Sequence, residues 1–274
     1  MESTPNPALL QLLLTYEELA FALKLVNAAT LPGLRPPQAE PCTAEQETQS
    51  LGYAERSLRA RELARLTPEG QFVVHKALLS AVSVCAYADQ ALLVQHIKPD
   101  HTLVEFYGAL KDGAVVTQSQ PEPGLYQLAV LQDAADLIAQ ALASSDCLSL
   151  IPASGAALTI GDDVLRQARQ FAEQGMAAEA AALLAVDNDA ASAAAVAAAL
   201  AEPHALSILT VYDSQADSTA RMRELTVLHT PQAAWLMTAL PEQQARRLAP
   251  VTSAELGAML QGYMQATVAL VASA

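Results

Sequence analysis

The sequence predicts an α+β fold. Two similar units, each made of helices, a β-meander and a further helix, are expected to form a central antiparallel sheet with helical bundles. Three observations predict it. Helical and strand-like hydrophobic patterns follow one another in the same order in both halves. The chain has 274 residues, of which 52% are hydrophobic, so a large core can be buried. Short segments near the ends of the two halves also match in sequence.

The first half opens with three predicted helices. Apolar residues recur at helical spacing from about Pro7 to Ala29, and a proline-rich segment that starts at Leu31 ends that helix. A second helix is expected from about Ala44 and a third from about Phe72 to Ile97. The second helix carries an arginine-rich face, which we expect to be solvated and paired with nearby glutamates: Arg56, Arg59, Arg61 and Arg65, with Glu55 and Glu62.

A β-meander is predicted after these helices. β-Branched and aromatic residues alternate with turn signals at Lys111–Gly113 and Gln120–Gly124. Asp133 is expected to cap a helix that runs to Ala143, because its carboxylate can accept hydrogen bonds from free N–H groups. The predicted strands are Thr102–Tyr107, Ala114–Ser119 and Leu125–Leu131.

The second half repeats this order. Gly161 to Leu200 is predicted to be helical, with breaks at Gly175 and around Asp187–Asp189. Ser253 is expected to cap the last helix. The predicted strands between them are Ala205–Tyr212, Met222–His229, Ala234–Leu240 and Arg247–Val251.

The two halves also match over seven residues. Leu128–Ala134 parallels Leu248–Ala254, since in each an extended Leu-Ala pair leads to a polar cap and then to a helix. We interpret this match as a duplication with a period above 100 residues. Residues 1–150 and 151–274 are then two repeats of one compact, pseudo-two-fold domain that shares a sheet.

Charge and cysteine content restrict the partners and the compartment. The formal net charge is −14, which disfavours nucleic acids and anionic membrane surfaces. The N-terminus is acidic, so no signal peptide is expected, and the uncharged stretch 256–274 is expected to be a buried helix without membrane insertion. The three cysteines, Cys42, Cys85 and Cys147, lack metal or redox spacing, which favours reduced thiols in the cytoplasm.

No catalytic, metal or cofactor residue is predicted, so an enzyme is not expected. Phosphate-binding loops and nucleophile-elbow motifs are missing from the sequence. Asp162–Asp163 fits a helix N-cap, and Trp235 fits a core position on a strand. The histidines are expected to be structural or exposed: His75, His96, His101, His204 and His229.

Several short motifs resemble those of a known family. Thr15–Leu19 followed by Leu31–Leu34 is similar to the start of the EspG chaperones of ESX (type VII) secretion. Ser57–Leu63, followed by Pro68–Gly70, resembles that family's Leu-x-x-Arg-Gly-Leu and the glycine after it. Glu62 departs from the pattern, because the family tends to have Gly there. The resemblance implies a bacterial, cytosolic, non-catalytic chaperone with a pseudo-two-fold sheet, which holds the tip of a helical secretion substrate.

The resemblance carries no partner-contact residues over, so the binding residues are our own inference. Pro121, Glu122 and Pro123 form a stiff acidic turn at a sheet end, and such a turn can contact a protein partner. A plain hairpin turn is the alternative. Two other functions stay open: a homo-oligomeric adaptor, in which a homodimer forms through sheet edges, and a small-molecule sensor or enzyme with a pocket between the repeats.

Overall fold

The computed structural model describes residues 8–35, 43–214 and 221–265, and it confirms the α+β class. These residues form eight α-helices and twelve β-strands, ten of which make one large antiparallel sheet. None of the described helices combines the length and apolar character needed to cross a bilayer. Of the uncharged stretch 256–274, the part from residue 266 onwards lies outside the described residues.

The first half begins with a strand and ends with a helix. Its strands are β1 (Leu10–Thr15), β2 (Ala64–Leu66), β3 (Phe72–Val74), β4 (Gln90–Ile97), β5 (Leu103–Lys111), β6 (Ala114–Glu122) and β7 (Leu125–Leu131). Its helices are α1 (Tyr16–Leu25), α2 (Ala44–Ala60), α3 (Lys76–Ala86) and α4 (Ala134–Ser144).

The second half has the same general order. Its strands are β8 (Leu158–Gly161), β9 (Ala205–Asp213), β10 (Arg221–His229), β11 (Ala234–Leu240) and β12 (Ala245–Pro250). Its helices are α5 (Asp162–Glu173), α6 (Ala177–Leu184), α7 (Ala190–Ala201) and α8 (Ser253–Gln265).

Both halves contribute a meander and a returning first strand to the large sheet. The strand order is β1-β7-β6-β5-β4-β9-β10-β11-β12-β8, so β1 pairs with the last strand of the first meander and β8 with the last strand of the second. β2 and β3 form a separate hairpin. The element order is therefore repeated, while a common origin of the repeats 1–150 and 151–274 stays a prediction.

The described residues cluster into two compact units that do not follow the chain halves strictly. The first contains the described parts of Met1–Leu92, Glu105–Gln140 and Tyr212–Arg221. The second contains those of Leu93–Val104, Ala141–Val211 and Met222–Ala274.

The helix predicted from Pro7 to Ala29 is wrong over its first half. Leu10–Thr15 is a strand, in which Leu12 and Leu14 are buried while Leu13 is exposed. A helix former such as leucine becomes a strand residue here because β7 supplies hydrogen-bond partners along the whole segment. The helix begins only after Thr15, whose hydroxyl oxygen accepts a hydrogen bond from the Glu18 N–H in a capping box.

The helix predicted from Phe72 to Ile97 is also wrong at both ends. Only Lys76–Ala86 is helical, and it begins after His75, whose Nδ1 accepts a hydrogen bond from the Ala77 N–H. Gln90–Ile97 is β4, in which Leu92, Val94 and His96 are buried at period two. A buried strand and a segment of amphipathic helix can have the same content of apolar residues. Pairing with neighbouring strands makes this segment a strand.

Two predicted caps are corrected. Thr252, rather than Ser253, caps α8, because its hydroxyl oxygen accepts from the Glu255 N–H while the Glu255 carboxylate accepts from Thr252. Gly161 is the N-cap of α5, so Asp162 and Asp163 lie in the first turn. There they pair with Arg246 and Arg166, and β8, which precedes them, was not predicted.

The second unit has a core of aliphatic side chains around Trp235, as predicted. Trp235 has none of its surface exposed, and it packs with Leu158 and Ile160 of β8. Alanines of α5, α6 and α7 belong to the same cluster. Burying an indole of this size stabilises the fold by about 3 kcal/mol or more relative to a small side chain.

The geometry at the end of α2 favours glycine at position 62, where Glu62 departs from the family pattern. Leu63 N–H donates to the Leu58 carbonyl and Glu62 N–H donates to the Arg59 carbonyl, as in a Schellman motif. Glu62 has a φ of 60°, in the left-handed region. Glycine adopts that region without the steric cost that a Cβ brings, so the backbone at position 62 favours Gly.

We expect Glu62→Gly to raise the free energy of unfolding by about 0.5–1 kcal/mol, because it relieves the left-handed conformation. Chemical denaturation measures the change. Glu62→Ala is the control, since it removes the charge and keeps the Cβ. Equal stabilisation by both variants would show that the charge, and not the backbone, is responsible.

Candidate functional site

The predicted partner-binding turn lies at the end of β6. Pro121, Glu122 and Pro123 are all exposed, and the turn closes at Gly124, which has a φ of 80°. The β6–β7 register is interrupted between Ser119 and Glu122, so the strand end bulges. The three residues are therefore presented together, as predicted, while their role as a contact is not tested by this geometry.

The turn is held against the start of α1. Tyr16 N–H donates to the Gly124 carbonyl over 3.1 Å. The matching turn of the second meander has the same bond, since Asp162 N–H donates to the Gln244 carbonyl over 3.0 Å. Gln244, like Gly124, has a positive φ, of 47°. Both turns are thus fixed by the helix that follows the returning strand.

The Leu31–Leu34 motif packs on the first meander. Gln118 of β6 donates from Nε2 to the Pro32 carbonyl over 3.0 Å. The Tyr126 hydroxyl accepts from the Arg35 N–H and donates to the Arg35 carbonyl. Leu31 is buried. This motif therefore fixes a loop on the sheet, which is a structural role.

An ion pair between a buried carboxylate and a partly exposed arginine joins the other two family-like motifs. Glu18 is 1% exposed, and its carboxylate accepts from Arg61 Nη1 over 2.6 Å and from Ser57 Oγ over 2.8 Å. Arg59 pairs with Glu55 at 3.7 Å, as predicted. The buried partner of Arg61 was missed, because α1 and α2 contact each other only in the folded chain.

The strongest polar cluster lies in the second unit and was not predicted. His96 of β4 and His229 of β10 stack with ring centroids 5.8 Å apart. Ser207 of β9 lies between them, with its Oγ 2.9 Å from His96 Nδ1 and 3.4 Å from His229 Nε2. Ser145 and Asp146, just after α4, complete the cluster, with Asp146 Oδ2 3.1 Å from His96 Nε2.

The Ser207 hydroxyl has more than one candidate acceptor for its single proton. It lies within reach of His96 Nδ1 and, at 3.1 Å, of the Ser145 carbonyl. When His96 is neutral with its proton on Nε2, facing Asp146, Nδ1 accepts the hydroxyl proton. When His96 is protonated, Nδ1 donates to Ser207, and the hydroxyl proton turns to another acceptor, of which the Ser145 carbonyl is the nearest. A change in the charge of one imidazole thus reverses a buried hydrogen bond.

Burial dominates the titration of both rings. It lowers the pKa of His96, against the opposing charge of Asp146 and with the help of Lys98. Burial also lowers the pKa of His229, and the nearby His96 and His204 lower it further. The negative charge of Asp146 acts in the opposite direction on the pKa of both rings. Its carboxylate is 68% exposed, so solvent weakens this opposing effect. Neutral rings are therefore the stable form near neutral pH.

This cluster contains serine, histidine and aspartate, yet it is not arranged as a nucleophile site. Ser207 has none of its surface exposed, so a substrate does not reach its Oγ. The cluster instead ties the end of α4 to three strands, which is a structural function.

His75 caps α3 and His101 has its own turn, with a φ of 65°. Cys147 lies beside the cluster, with its Sγ 3.2 Å from the Ser145 carbonyl. Burial raises the pKa of Cys85 to about 12 and also raises that of Cys147, so both are inert free thiols. Cys42 lies outside the described residues. Within residues 8–35, 43–214 and 221–265, no group of three or more His, Cys, Asp or Glu side chains is placed to hold a metal.

The alternation of buried residues along β4 is a sequence signal that could have identified the buried histidine. His96 lies two residues after Val94 and four after Leu92, on the buried face of the strand. The contacts with Ser207 and His229 depend on the order of β4, β9 and β10 in the sheet, which sequence spacing does not contain.

The free energy of unfolding should fall as the pH drops from about 7.5 to about 5.5. Below the ordinary histidine pKa of about 6.5, the unfolded chain binds protons that the buried rings of His96 and His229 take up less readily. His96→Gln should weaken this pH dependence, as measured by urea denaturation at several pH values. The control is His101→Asn, which should keep it. An unchanged dependence in His96→Gln would contradict the assignment.

Comparison with known proteins supports the fold-level resemblance. Neither a family model nor a curated protein matches the sequence. Among solved structures, the chain is similar to the Mycobacterium tuberculosis type VII secretion system chaperone EspG5, solved in complex with a PE25–PPE41 dimer. The TM-score is 0.68 over 93% of this chain and 96% of that chain, at 12% sequence identity. The EspG-like fold that the short motifs predicted is therefore confirmed.

Proposed function

We propose that this chain is a non-catalytic chaperone that binds a helical client of a type VII-like secretion system. The single observation that carries the proposal is the extent of the likeness to EspG5, which includes nearly the whole of both chains. A shared core alone would leave large parts of one chain unmatched. The Ser207 hydroxyl of the polar cluster is also fully buried, so the cluster presents no nucleophile to a substrate.

We place this activity in the cytoplasm. Cys85 and Cys147 are buried free thiols, as expected in a reducing compartment. The net charge of −14 disfavours binding to nucleic acids and anionic lipids, which favours a protein as the partner. A chaperone of this kind holds an amphipathic client helix and keeps its apolar face from aggregating.

The client is expected to co-purify as a defined complex. Tagged chain is isolated from its native cells at several expression levels, and partners are identified by mass spectrometry. A helical secreted protein should appear at each level, and the same two purified proteins should form a complex of fixed stoichiometry by light scattering. Recovery of housekeeping proteins only, or failure of the purified pair to associate, would contradict the proposal.

We propose that Pro121, Glu122 and Pro123 contribute to client binding, because the turn is exposed, stiffened by two prolines and fixed to α1. Glu122→Lys should weaken the purified complex by about tenfold in Kd, because it reverses the charge at the proposed contact. The control is Glu242→Lys, which makes the same charge change in the Pro-Glu turn between β11 and β12. Equal effects of the two variants would remove the turn from the interface.

A further inference from the structure

Each edge strand of the large sheet has a side chain bonded to at least one of its outward backbone groups. In the described part of the chain, β7 is the only strand that pairs with β1, and β12 is the only strand that pairs with β8. An open edge presents N–H and C=O groups with which another strand can pair. We propose that Arg61 and Asn188 close these two edges, and so prevent a second copy of this chain from adding a strand there.

The register shows which backbone groups face outward. In an antiparallel pair, every second residue bonds to the partner strand. The Tyr16 N–H bonds to Gly124, which lies directly opposite, so the N–H and carbonyl of Leu13 point away from β7. By the same count from Asp162, the N–H and carbonyl of Thr159 point away from β12.

Arg61 closes the edge at β1. Its Nη2 donates to the outward carbonyl of Leu13. Its Nη1 is held by the buried carboxylate of Glu18, so the guanidinium has a fixed position over the strand. A charged group on an edge strand opposes pairing, because an incoming strand would have to displace or desolvate it.

Asn188 closes the edge at β8 by making the two backbone hydrogen bonds that a neighbouring strand would make. Its Oδ1 accepts from the Thr159 N–H over 3.0 Å, and its Nδ2 donates to the Thr159 carbonyl over 3.1 Å. The same Nδ2 also donates to the Leu184 carbonyl at the end of α6, which fixes the side chain. Both outward groups of Thr159 are therefore already used.

The two closures occupy matching positions. Leu13 precedes the N-cap of α1 by two residues, and Thr159 precedes the N-cap of α5 by two residues. The closing residue follows α2 in the first case and α6 in the second. The chemistry differs at the two edges, because Arg61 covers the carbonyl of Leu13 while Asn188 covers both the N–H and the carbonyl of Thr159.

A second copy is the occupant that β1 most needs to exclude. From Leu9 to Tyr16 the chain has no charged residue and no proline, and Leu13 is 44% exposed. Uncharged apolar segments of about six residues pair readily with identical segments. The strand carries no charge of its own to prevent this, so the charge is supplied by Arg61.

Arg61→Lys tests the closure of β1. A lysine keeps a cation beside Glu18, but its single ammonium group does not reproduce the fork that also reaches Leu13. The folded variant should self-associate at least about tenfold more strongly than the parent, as measured by sedimentation or light scattering over a concentration series. Arg59→Lys, on the exposed face of α2, is the matched control and should leave self-association unchanged.

A rescue variant separates edge closure from general destabilisation. Leu13→Lys, added to Arg61→Lys, puts a charge directly on the edge strand and should restore the self-association of the parent. A folded Arg61→Lys that associates no more than the parent overturns the proposal for β1. So does association that Leu13→Lys leaves unchanged.

Hydrogen exchange tests the closure of β8 without relying on a variant. The Thr159 amide faces outward from an edge strand, yet it should be protected in the parent, because Asn188 accepts its hydrogen bond. Asn188→Ala should speed its exchange by at least about tenfold, and Gln174→Ala, an exposed amide at the end of α5, should not. Exchange of Thr159 at the rate of an unstructured peptide in the parent overturns this part of the proposal.

Discussion

The pairing of each returning strand with the end of its own meander is the constraint on which the rest of the structure depends. β1 on β7 and β8 on β12 fix where the following helix begins, because the helix N–H of Tyr16 or Asp162 bonds to the turn of the meander. The helices then have a defined starting direction over the sheet. A segment of leucines, whose intrinsic propensity favours helix, becomes a strand under this constraint.

Buried polar groups serve this arrangement when each has a partner. Burying the Glu18 carboxylate to 1% exposure would destabilise the fold if Arg61 and Ser57 did not bond to it. The same carboxylate also accepts a hydrogen bond from the Thr15 N–H in the capping box of α1. The cluster around Ser207 similarly holds the end of α4 to strands of the second unit. Both networks connect a helix terminus to elements distant in sequence, where apolar packing alone is less selective for register.

The sequence predicted those elements whose signals are local. The turn at Lys111–Gly113 and the cap at Asp133 are confirmed, because turn and cap chemistry acts over a few residues. β1, β4 and β8 were missed or taken for helix, since their hydrophobic content fits either structure until a partner strand is present. The cluster of His96 and His229 was missed for the same reason, because it requires the order of three strands.

The matching bonds in the two units show what the repeated architecture requires. Gly124 and Gln244 accept equivalent bonds with a positive φ, and Leu13 and Thr159 are covered at equivalent places by Arg61 and Asn188. Each requirement belongs to the backbone and can be met by side chains of different chemistry. A fold specified in this way constrains hydrogen-bond geometry more tightly than residue identity. Sequence similarity between chains of this fold can therefore become very low while the backbone architecture persists.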